Sequence, residues 1–496
     1  MITPISRNMH RLRRTAGHFL LPVPTAGGQD DGSDVATATA DVANGARRAH
    51  SPGAVPDPRA DPEWLDRIYA LHELVPMAKA KLTKQDWEFM RGGADAEASI
   101  RRNRLELDSL VRPSNPPLLA IYGDVLFSFT PSRDYLQALR PSMLEDVSSI
   151  DLSTTLFGGE LSFPIITAPM GGATRWDAEG AQACARAAST SGVMSCLSSL
   201  ADGLLPGPTS ILENNAACCS GPKIFQLYIR GDDDYVDDHA ARAIAAGYNA
   251  FAITVDVQLI SRREGMITSR YQARAGSASG GIGGLDHQSR FGWASLARFK
   301  KKWPDIPLLV KGIMTAVDAS RCVDMGCHVW VSNHGGRQLD QAQGTMAVLP
   351  EIVKAVDGRM KIVVDGGFLR GTDVVKAMAL GADAVALGRL VAVSLSAGGE
   401  QGLVRALDLL LEETHTVMGL MSKRNWAELK PEDVVAAPYA AAGPPDLFSG
   451  FPYLQTVSAH KQSAAASNDC SPGCVSYTVV IDCECQMDSN FGQMRW

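Results

Sequence analysis

Short apolar runs alternate with longer amphipathic segments from Phe163 onward. Eight of these runs have the length and the β-branched content of buried strands. They span residues 164–170, 192–199, 223–229, 249–256, 307–313, 328–335, 360–367 and 382–389. Helical spacing fills several of the intervals, at residues 178–189, 235–246, 316–325, 349–356 and 373–380. Eight strand–helix units predict a (β/α)8 TIM barrel, an α/β fold in which helices surround eight parallel strands.

The segments on either side of the barrel follow different patterns. Residues 1–62 are rich in Ala, Gly, Pro, Asp and Arg without a periodic apolar stretch, so they are predicted to be a disordered tail. Helical spacing follows, and 63–110 are predicted to be an N-terminal helical extension that leads into the barrel at 139–425. The sequence therefore places one barrel domain at 63–435 and a flexible tail at 436–496.

One connection is much longer than the others. Residues 257–305 join the fourth and fifth predicted strands and contain a Gly- and Ser-rich stretch at 275–284. Long loops within compact domains are commonly functional, so we predict an active-site lid here. A disordered insertion is the alternative.

Composition narrows the class of protein. An apolar content of 45% and a charged content of 20% are ordinary for a soluble globular chain. No apolar run reaches the roughly 18 to 20 residues of a membrane-spanning helix. The chain has 47 Lys and Arg residues and 54 Asp and Glu residues, so its net charge is −7. This negative charge argues against nucleic acid as the main partner. A cytoplasmic location is predicted, and four arginines before residue 15 leave a mitochondrial location as the alternative.

The cysteines fall into two groups. Six are scattered through the barrel region without a disulfide framework, which favours a reducing compartment. The other four are Cys470, Cys474, Cys483 and Cys485. Their C-x3-C and C-x-C spacing lacks the paired C-x2-C of zinc sites, so a tail without a metal is predicted. Soft-metal binding and disulfides stay open as alternatives there.

Polar side chains follow four consecutive predicted strands, where barrel enzymes carry their catalytic groups. Tyr228, Asp256, Lys311 and His334 stand at these strand ends, and Arg337 lies three residues beyond His334. An ionised Asp beside a His fixes the imidazole tautomer and stabilises the imidazolium, so Asp256 and His334 are predicted to form an acid/base pair. A guanidinium binds a carboxylate through two parallel bonds. The set suits a substrate with a removable proton and a carboxylate.

Glycines and an arginine follow the last two predicted strands. Asp365, Gly366 and Gly367 lead into a helix, and Gly388 and Arg389 begin the next one. Barrels commonly bind phosphate at these two loops through backbone N–H groups and a basic side chain. The pattern therefore predicts a phosphate-bearing ligand.

The run S-N-H-G-G-R-Q at 332–338 resembles the signature of the FMN-dependent α-hydroxy-acid oxidase and dehydrogenase family. Glycolate oxidase, L-lactate oxidase and mandelate dehydrogenase belong to that family. The resemblance extends over roughly residues 72 to 425 and includes A-P-M-G at 168–171, L-S-S at 197–199 and the F-Q-L-Y, T-V-D and D-G-G runs. It is also consistent with the predicted barrel.

That resemblance implies an FMN cofactor and the oxidation of a small 2-hydroxy acid, similar to lactate, glycolate or mandelate, to the 2-oxo acid. It assigns the substrate to Tyr228, Arg263, His334 and Arg337, with His334 as the base. It assigns FMN to Pro169, Met170, Gly171, Ser198, Gln226, Thr254, Lys311, Ser332, Asp365, Gly366, Gly367, Gly388 and Arg389. It further implies oxygen or another electron acceptor and a homo-oligomer, commonly a tetramer.

Several positions depart from the family pattern. Phe89 stands where the family has a tyrosine that binds the substrate carboxylate, and Leu200 stands where glycolate oxidase has an aromatic residue. Leu369 replaces a phosphate-binding arginine, with Arg370 next along the chain. About 26 residues at 111–136 are inserted. An atypical substrate or a flavin-binding scaffold role is therefore an alternative. A flavin-dependent isomerase of phosphate substrates is a further one, because the D-G-G and G-R strand ends alone would suit it.

Overall fold

The computed structural model describes residues 67–108, 118–122, 125–129, 135–201, 211–269 and 286–438, together with Leu65 and Phe448. The N-terminal tail predicted at 1–62 lies outside the described residues. So do the Gly- and Ser-rich stretch at 275–284 and the cysteines of the C-terminal tail. The predictions made for these segments stay predictions.

Helices precede the barrel. After a 3-10 turn at Leu71–Glu73 they are α1 (Leu74–Lys81), α2 (Lys84–Arg91) and α3 (Ala98–Asp108). Thr83 caps α2, because its hydroxyl accepts a hydrogen bond from the Asp86 N–H at 3.0 Å. α3 is anchored by Arg104, which donates two hydrogen bonds to the buried Asp373 at 2.7 and 2.8 Å. The helical extension is thereby joined to the first turn of the helix at Gly371–Ala379, which follows the seventh barrel strand.

Within the described residues, three antiparallel strand pairs lie outside the barrel. β1 (Leu118–Tyr122) and β2 (Val125–Phe129) form a hairpin within the inserted residues 111–136. β3 (Tyr135–Leu139) pairs with the chain segment Val434–Pro438. β4 (Thr154–Leu156) and β5 (Gly159–Leu161) form a second hairpin, and its two leucines pack into the barrel interior.

All eight predicted barrel strands are present, each within its predicted range. They are β6 (Ile165–Thr167), β7 (Met194–Ser198), β8 (Lys223–Leu227), β9 (Ala250–Thr254), β10 (Leu308–Ile313), β11 (His328–Val331), β12 (Ile362–Asp365) and β13 (Ala384–Leu387). Neighbouring strands pair in parallel, and β13 pairs with β6 to close the ring. The predicted TIM barrel is confirmed.

Helices and one further strand complete the fold. They are α4 (Gly180–Thr190), α5 (Ile211–Ala217), α6 (Asp233–Ala245), α7 (Glu264–Thr268), α8 (Asp286–Arg290), α9 (Trp293–Lys302), α10 (Ala316–Asp324), α11 (Thr345–Val356), α12 (Gly371–Ala379), α13 (Arg389–Leu420) and β14 (Val434–Pro438). Non-helical backbone at Gly398 and Gly399 divides α13 in two. No helix in the described ranges is both long and apolar enough to cross a bilayer.

The described parts of the connection predicted as one lid loop at 257–305 contain three helices. α7 and α8 stand on either side of residues 270–285, which are not among the described residues. α9 is the barrel helix between β9 and β10, and its Leu296 and Phe299 are buried. The predicted loop is therefore too long at its C-terminal end. The sequence pattern does not indicate α9 because this helix buries only two side chains and its last turn consists of three consecutive lysines.

Apolar side chains fill the barrel and also the space between the strands and the helices. The interior set includes Ile166, Met194, Ile224, Leu309 and Val363. Trp330 is the largest fully buried side chain among the residues with described burial. All six cysteines of the described chain are free thiols, in agreement with the predicted absence of a disulfide framework in the barrel region.

Candidate active site

A cavity of about 530 Å³ lies at the carboxyl ends of the barrel strands, a size typical of small-molecule sites. Most of the predicted site residues line it: Pro169, Met170, Gly171, Tyr228, Arg263, Lys311, His334, Arg337, Asp365, Gly366, Gly367, Gly388 and Arg389. The remaining predicted residues are Ser198, Gln226, Thr254, Asp256 and Ser332. Four of these are buried, and Asp256 contacts His334. The structure thus brings the predicted residues to one end of the barrel.

His334 lies between an aspartate and a tyrosine. Its Nδ1 is 2.9 Å from Asp256 Oδ1, and its Nε2 is 3.4 Å from Tyr228 Oη. Burial alone would raise the pKa of Asp256, but the charges of His334 and Lys311 lower it, so Asp256 is a carboxylate. A carboxylate only accepts hydrogen bonds, so Nδ1 carries the proton and Nε2 keeps a lone pair.

The protonation of His334 follows from its surroundings. Burial lowers the pKa of its imidazole, Asp256 opposes that change, and the charges of Lys311 and Arg263 lower the pKa further. Burial also raises the pKa of Tyr228 to about 12. At neutral pH the site therefore presents a neutral imidazole and a phenol that retains its proton.

The backbone around His334 is held in an uncommon conformation. His334 has a φ of +58°, in the left-handed region that few non-glycine residues adopt. Its N–H donates to Ser332 Oγ at 3.0 Å. At Gly336 a Cβ atom would lie 2.6 Å from the backbone nitrogen of Ile100 in α3, so a side chain does not fit there. Packing of α3 against this run fixes the position of the imidazole.

Lys311 lies in a buried network of charges and a hydroxyl. Its Nζ donates to Ser332 Oγ at 3.0 Å and lies 3.7 Å from Asp256 Oδ2 and 3.8 Å from Asp365 Oδ2. Ser332 Oγ in turn donates to Asp365 Oδ1 at 2.9 Å. Burial would lower the pKa of Lys311, but the two aspartates outweigh it and the pKa is raised. Lys311 is therefore a fixed positive charge in the barrel.

Two arginines of the cavity contact the C-terminal end of α2. Arg337 Nη1 donates to the carbonyl oxygens of Phe89 and Gly92 at 2.8 and 2.7 Å. Arg389 donates to the carbonyls of Gly92 at 3.0 Å and of Gly335 at 2.8 Å. Burial lowers the pKa of Arg389 to about 10. Cations are favoured at a helix C-terminus, so α2 helps to keep both guanidinium groups beside the cavity.

Leu369 and Arg370 do not place an additional guanidinium in the cavity. Leu369 is buried, and its N–H donates to Asp373 Oδ2 at 2.9 Å. Arg370 Nε donates to Glu413 Oε2, in α13, at 3.0 Å. The arginine next to the altered position therefore contacts a carboxylate on α13, and Arg389 is the arginine that lines the cavity near the strand 7 and 8 loops.

Some cavity residues have no role in the sequence analysis. Arg175 and Trp176 follow β6, and Arg230 follows β8 two residues after Tyr228. Their positions just beyond strand ends are the signal that would have identified them.

Gln288, on α8, is also absent from the residues identified by the sequence analysis. It is buried, accepts from the Ile229 N–H at 2.7 Å and donates to the Thr254 carbonyl at 2.9 Å. It therefore joins α8 to the ends of two barrel strands. No local sequence pattern marks it.

The residues in and around the cavity fit FMN. Gln226 Nε2 donates to Thr254 Oγ1 at 2.8 Å, while its buried Oε1 lacks a hydrogen-bond partner within the described part of the chain. A buried acceptor of this kind calls for an N–H group, which the flavin ring has. Gly388 lines the cavity beside Arg389, and a Cβ atom there would meet no atom within 4 Å. That open space beside a guanidinium suits a phosphate.

Comparisons with known proteins identify the family. The sequence profile of the FMN-dependent dehydrogenase family matches residues 134–436. A peroxisomal (S)-2-hydroxy-acid oxidase of Oryza sativa subsp. japonica is 35% identical over 383 residues, which cover 74% of this chain and 95% of the rice protein. The chain belongs to the FMN-dependent dehydrogenase family.

Further members of the FMN-dependent dehydrogenase family agree in sequence and fold. Glycolate oxidase of Spinacia oleracea is 34% identical over 390 residues, covering 74% of this chain and 96% of the spinach protein. A crystal structure of mandelate oxidase is 32% identical with a TM-score of 0.63, covering 75% of this chain and 100% of that one. The protein is therefore an FMN-dependent oxidoreductase, and FMN is its cofactor.

Proposed function

We propose that this enzyme oxidises a small 2-hydroxy acid to the 2-oxo acid, with His334 as the base. The observation that supports this most directly is the Asp256–His334 pair, which leaves a neutral Nε2 beside Tyr228 in a cavity lined by arginines. Its relatives are named for the oxidation of glycolate, mandelate and (S)-2-hydroxy acids. The same class of substrate suits a site that combines a base with guanidinium groups.

Each substrate-facing residue has one task in this proposal. His334 Nε2 accepts a proton from the substrate, and Asp256 stabilises the resulting imidazolium. Tyr228, which stays protonated, donates a hydrogen bond to the substrate. Arg337 and Arg263 bind and orient the carboxylate. The loss of a tyrosine hydroxyl at Phe89 leaves these two guanidinium groups as the proposed carboxylate ligands.

The proposed FMN site consists of residues at the ends of the barrel strands and in the loops that follow them. When bound, FMN supplies the two-electron acceptor for the substrate. The residues proposed to hold it are Pro169, Met170, Gly171, Ser198, Gln226, Thr254, Lys311, Ser332, Asp365, Gly366, Gly367, Gly388 and Arg389. Lys311 is the buried cation of this set, so it stabilises negative charge on the ligand that it contacts.

Anaerobic addition of the correct 2-hydroxy acid is expected to bleach the visible flavin absorbance of the purified protein. The experiment uses a panel of L- and D-2-hydroxy acids that includes glycolate, lactate and mandelate, and each spectrum is compared with that of the untreated enzyme. A yellow protein that no 2-hydroxy acid bleaches would contradict the proposed reaction and favour the scaffold alternative. A colourless protein that FMN does not restore would contradict the cofactor site.

The Asp256→Asn variant is expected to change the pH profile in a defined direction. The base must be neutral, so kcat/KM falls as the pH decreases through the pKa of His334. Because the Asp256 charge raises the pKa of His334, its removal should move this acid limb to lower pH. The imidazolium also loses its counter-charge, so kcat should fall by up to about 100-fold. The measurement is kcat/KM against pH for both proteins.

The control for that profile is Asp324→Asn, which removes an exposed carboxylate paired with Arg359 on the surface. It should leave the acid limb in place. A limb that stays in place in Asp256→Asn, or moves to higher pH, would show that His334 is not the group responsible.

Electron acceptor, assembly and location are part of the proposal. Reduced enzyme is proposed to pass electrons to oxygen or to another acceptor, and oxygen uptake with the bleaching acid distinguishes the two. A homo-oligomer stays a prediction from the family resemblance. The cytoplasmic location and its mitochondrial alternative also stay predictions, although a related oxidase is named peroxisomal.

A further inference from the structure

Basic side chains dominate the charge around the cavity. Among the residues that the structure describes, seven arginines and lysines line it, against one carboxylate, Asp365. The basic set is Arg175, Arg230, Arg262, Arg263, Lys311, Arg337 and Arg389. The proposed reaction and FMN site use four of these. Arg262 has a largely exposed side chain, so Arg175 and Arg230 are the two basic wall residues whose purpose the proposed function leaves unexplained.

Arg175 is built into the cavity wall. It ends the 3-10 turn that follows β6, and only 7% of its side chain is exposed. Its Nη1 lies 3.2 Å from Oδ1 of Asp86, which is also buried. A Cβ atom at Gly172 would come within 2.9 Å of Arg175 Nε, so glycine at that position gives the side chain room. Burying an ion pair adds little net stability, so a role toward a ligand explains it better.

Two guanidinium groups contact the ring of Phe89, the residue that replaces the family tyrosine. The guanidinium carbon of Arg175 is 4.7 Å from the centroid of the Phe89 ring, and that of Arg337 is 5.1 Å from it. The two carbons therefore lie within about 10 Å of each other. One 2-hydroxy acid with carboxylates at both ends of a short carbon chain is able to contact both groups, because each guanidinium reaches a carboxylate through N–H donors.

Apolar and aromatic side chains also line the cavity. They include Phe89, Leu200 and Trp176, and the Trp176 ring lies 5.9 Å from that of Phe89. Phe89 and the Trp176 ring carry no charge, so Arg175, whose guanidinium carbon is 4.7 Å from the Phe89 ring centroid, is the group beside them that would pair with a carboxylate.

We infer that the preferred substrate is a 2-hydroxy dicarboxylic acid, whose first carboxylate is bound by Arg337 and whose second is bound by Arg175. Arg230, which also lines the cavity, adds positive charge to it. This inference rests on the proposed function, since it names the substrate class of the same site. Arg175 is a specificity-determining residue in this arrangement, and the proton transfer remains with His334.

The test compares acids of equal chain length, malate with 2-hydroxybutyrate and 2-hydroxyglutarate with 2-hydroxypentanoate. Wild-type kcat/KM is expected to favour a diacid over its matched monoacid by roughly 10- to 100-fold, the effect of a hydrogen bond to a charged group. In Arg175→Met this preference should be lost, mainly through a higher KM for the diacid. The monoacid should be unaffected, and Arg175→Lys should retain part of the preference.

Two variants keep the result interpretable. Asp86→Asn combined with Arg175→Met removes both charges of the buried pair, so it avoids leaving an unpaired carboxylate. Arg359→Met removes a half-exposed arginine that does not line the cavity and should change neither acid. Equal losses for monoacid and diacid in Arg175→Met would show that Arg175 only positions Phe89 and Arg337, which overturns the inference. A wild type without a diacid preference overturns it as well.

A binding measurement separates this inference from the proposed reaction. Oxaloacetate and 2-oxobutyrate are titrated into the holoenzyme, and binding is followed by the change in the flavin spectrum. Tighter binding of oxaloacetate in the wild type, lost in Arg175→Met, supports the dicarboxylate site even if no acid bleaches the flavin. Equal binding of the two oxo acids overturns it even if the enzyme oxidises monoacids.

Discussion

Replacement of His334 by asparagine is expected to lower kcat by about 10²- to 10⁴-fold, the range that a general base contributes. The variant should still fold and bind FMN. Asparagine is chosen because it tolerates the left-handed backbone that His334 adopts, so the change removes the imidazole without adding the strain that alanine would bring. The measurement is steady-state kcat at equal flavin content, with the substrate that bleaches the wild-type enzyme.

His328→Asn provides a matched control. His328 is the first residue of β11, whereas His334 follows the last residue of that strand. The centroid of the His328 ring lies 4.9 Å from that of Phe157, and burial lowers the pKa of His328 to about 4. Loss of this histidine should reduce stability and leave kcat of the folded enzyme nearly unchanged. If His334→Asn retained wild-type kcat with a full complement of FMN, the base would have to be another residue.

Replacement of Lys311 by methionine is expected to lower the free energy of unfolding by about 3 to 5 kcal/mol, the usual cost of removing one partner of a buried ion pair. Asp256 and Asp365 each have a carboxylate oxygen within 3.8 Å of the ammonium group, and both would lose their common counter-charge. The variant should also retain less FMN on purification. Urea unfolding and the ratio of flavin to protein absorbance measure the two effects.

Lys361→Met is the corresponding surface change. Lys361 pairs with Asp383 at 2.7 Å, but half of its side chain is exposed, so the expected loss is at most about 1 kcal/mol. Combining Lys311→Met with Asp365→Asn should recover part of the lost stability, because one of the two uncompensated charges is removed. Unchanged unfolding in Lys311→Met would refute the idea that this lysine holds the two carboxylates together.

The barrel could be predicted because its determinants are local. Each strand is a short apolar run that is buried on both sides, and the polar residues that follow the strands meet at one end of the ring for geometric reasons. This was sufficient to bring Tyr228, Asp256, Lys311 and His334 together from the sequence. Asp256 and His334, the two members of the predicted pair, are 2.9 Å apart, and the roles of all four residues in the reaction stay predictions.

Other features depend on packing between distant segments. Arg337 contacts carbonyls of α2 nearly 250 positions earlier in the chain, and no local pattern specifies that partner. Arg175 is similar, because its significance arises only when the helical extension brings Phe89 and Asp86 next to the loop after β6. Gln288 was missed for the same reason. Spacing along the chain identifies elements, whereas these contacts depend on how the elements dock.

Trp330 donates from Nε1 to Asp365 Oδ2 at 3.0 Å, and the other oxygen of that carboxylate accepts from Ser332. Trp330, which packs in the barrel interior, therefore also contributes to the electrostatics of the site through its hydrogen bond to Asp365. In a directed-evolution experiment that repacks the barrel interior, no aliphatic residue could replace Trp330 without an effect on the site. Each such replacement would remove one hydrogen bond from the Asp365 carboxylate, which lies beside Lys311. Stability and turnover are consequently coupled traits at this position, and selection for one would alter the other.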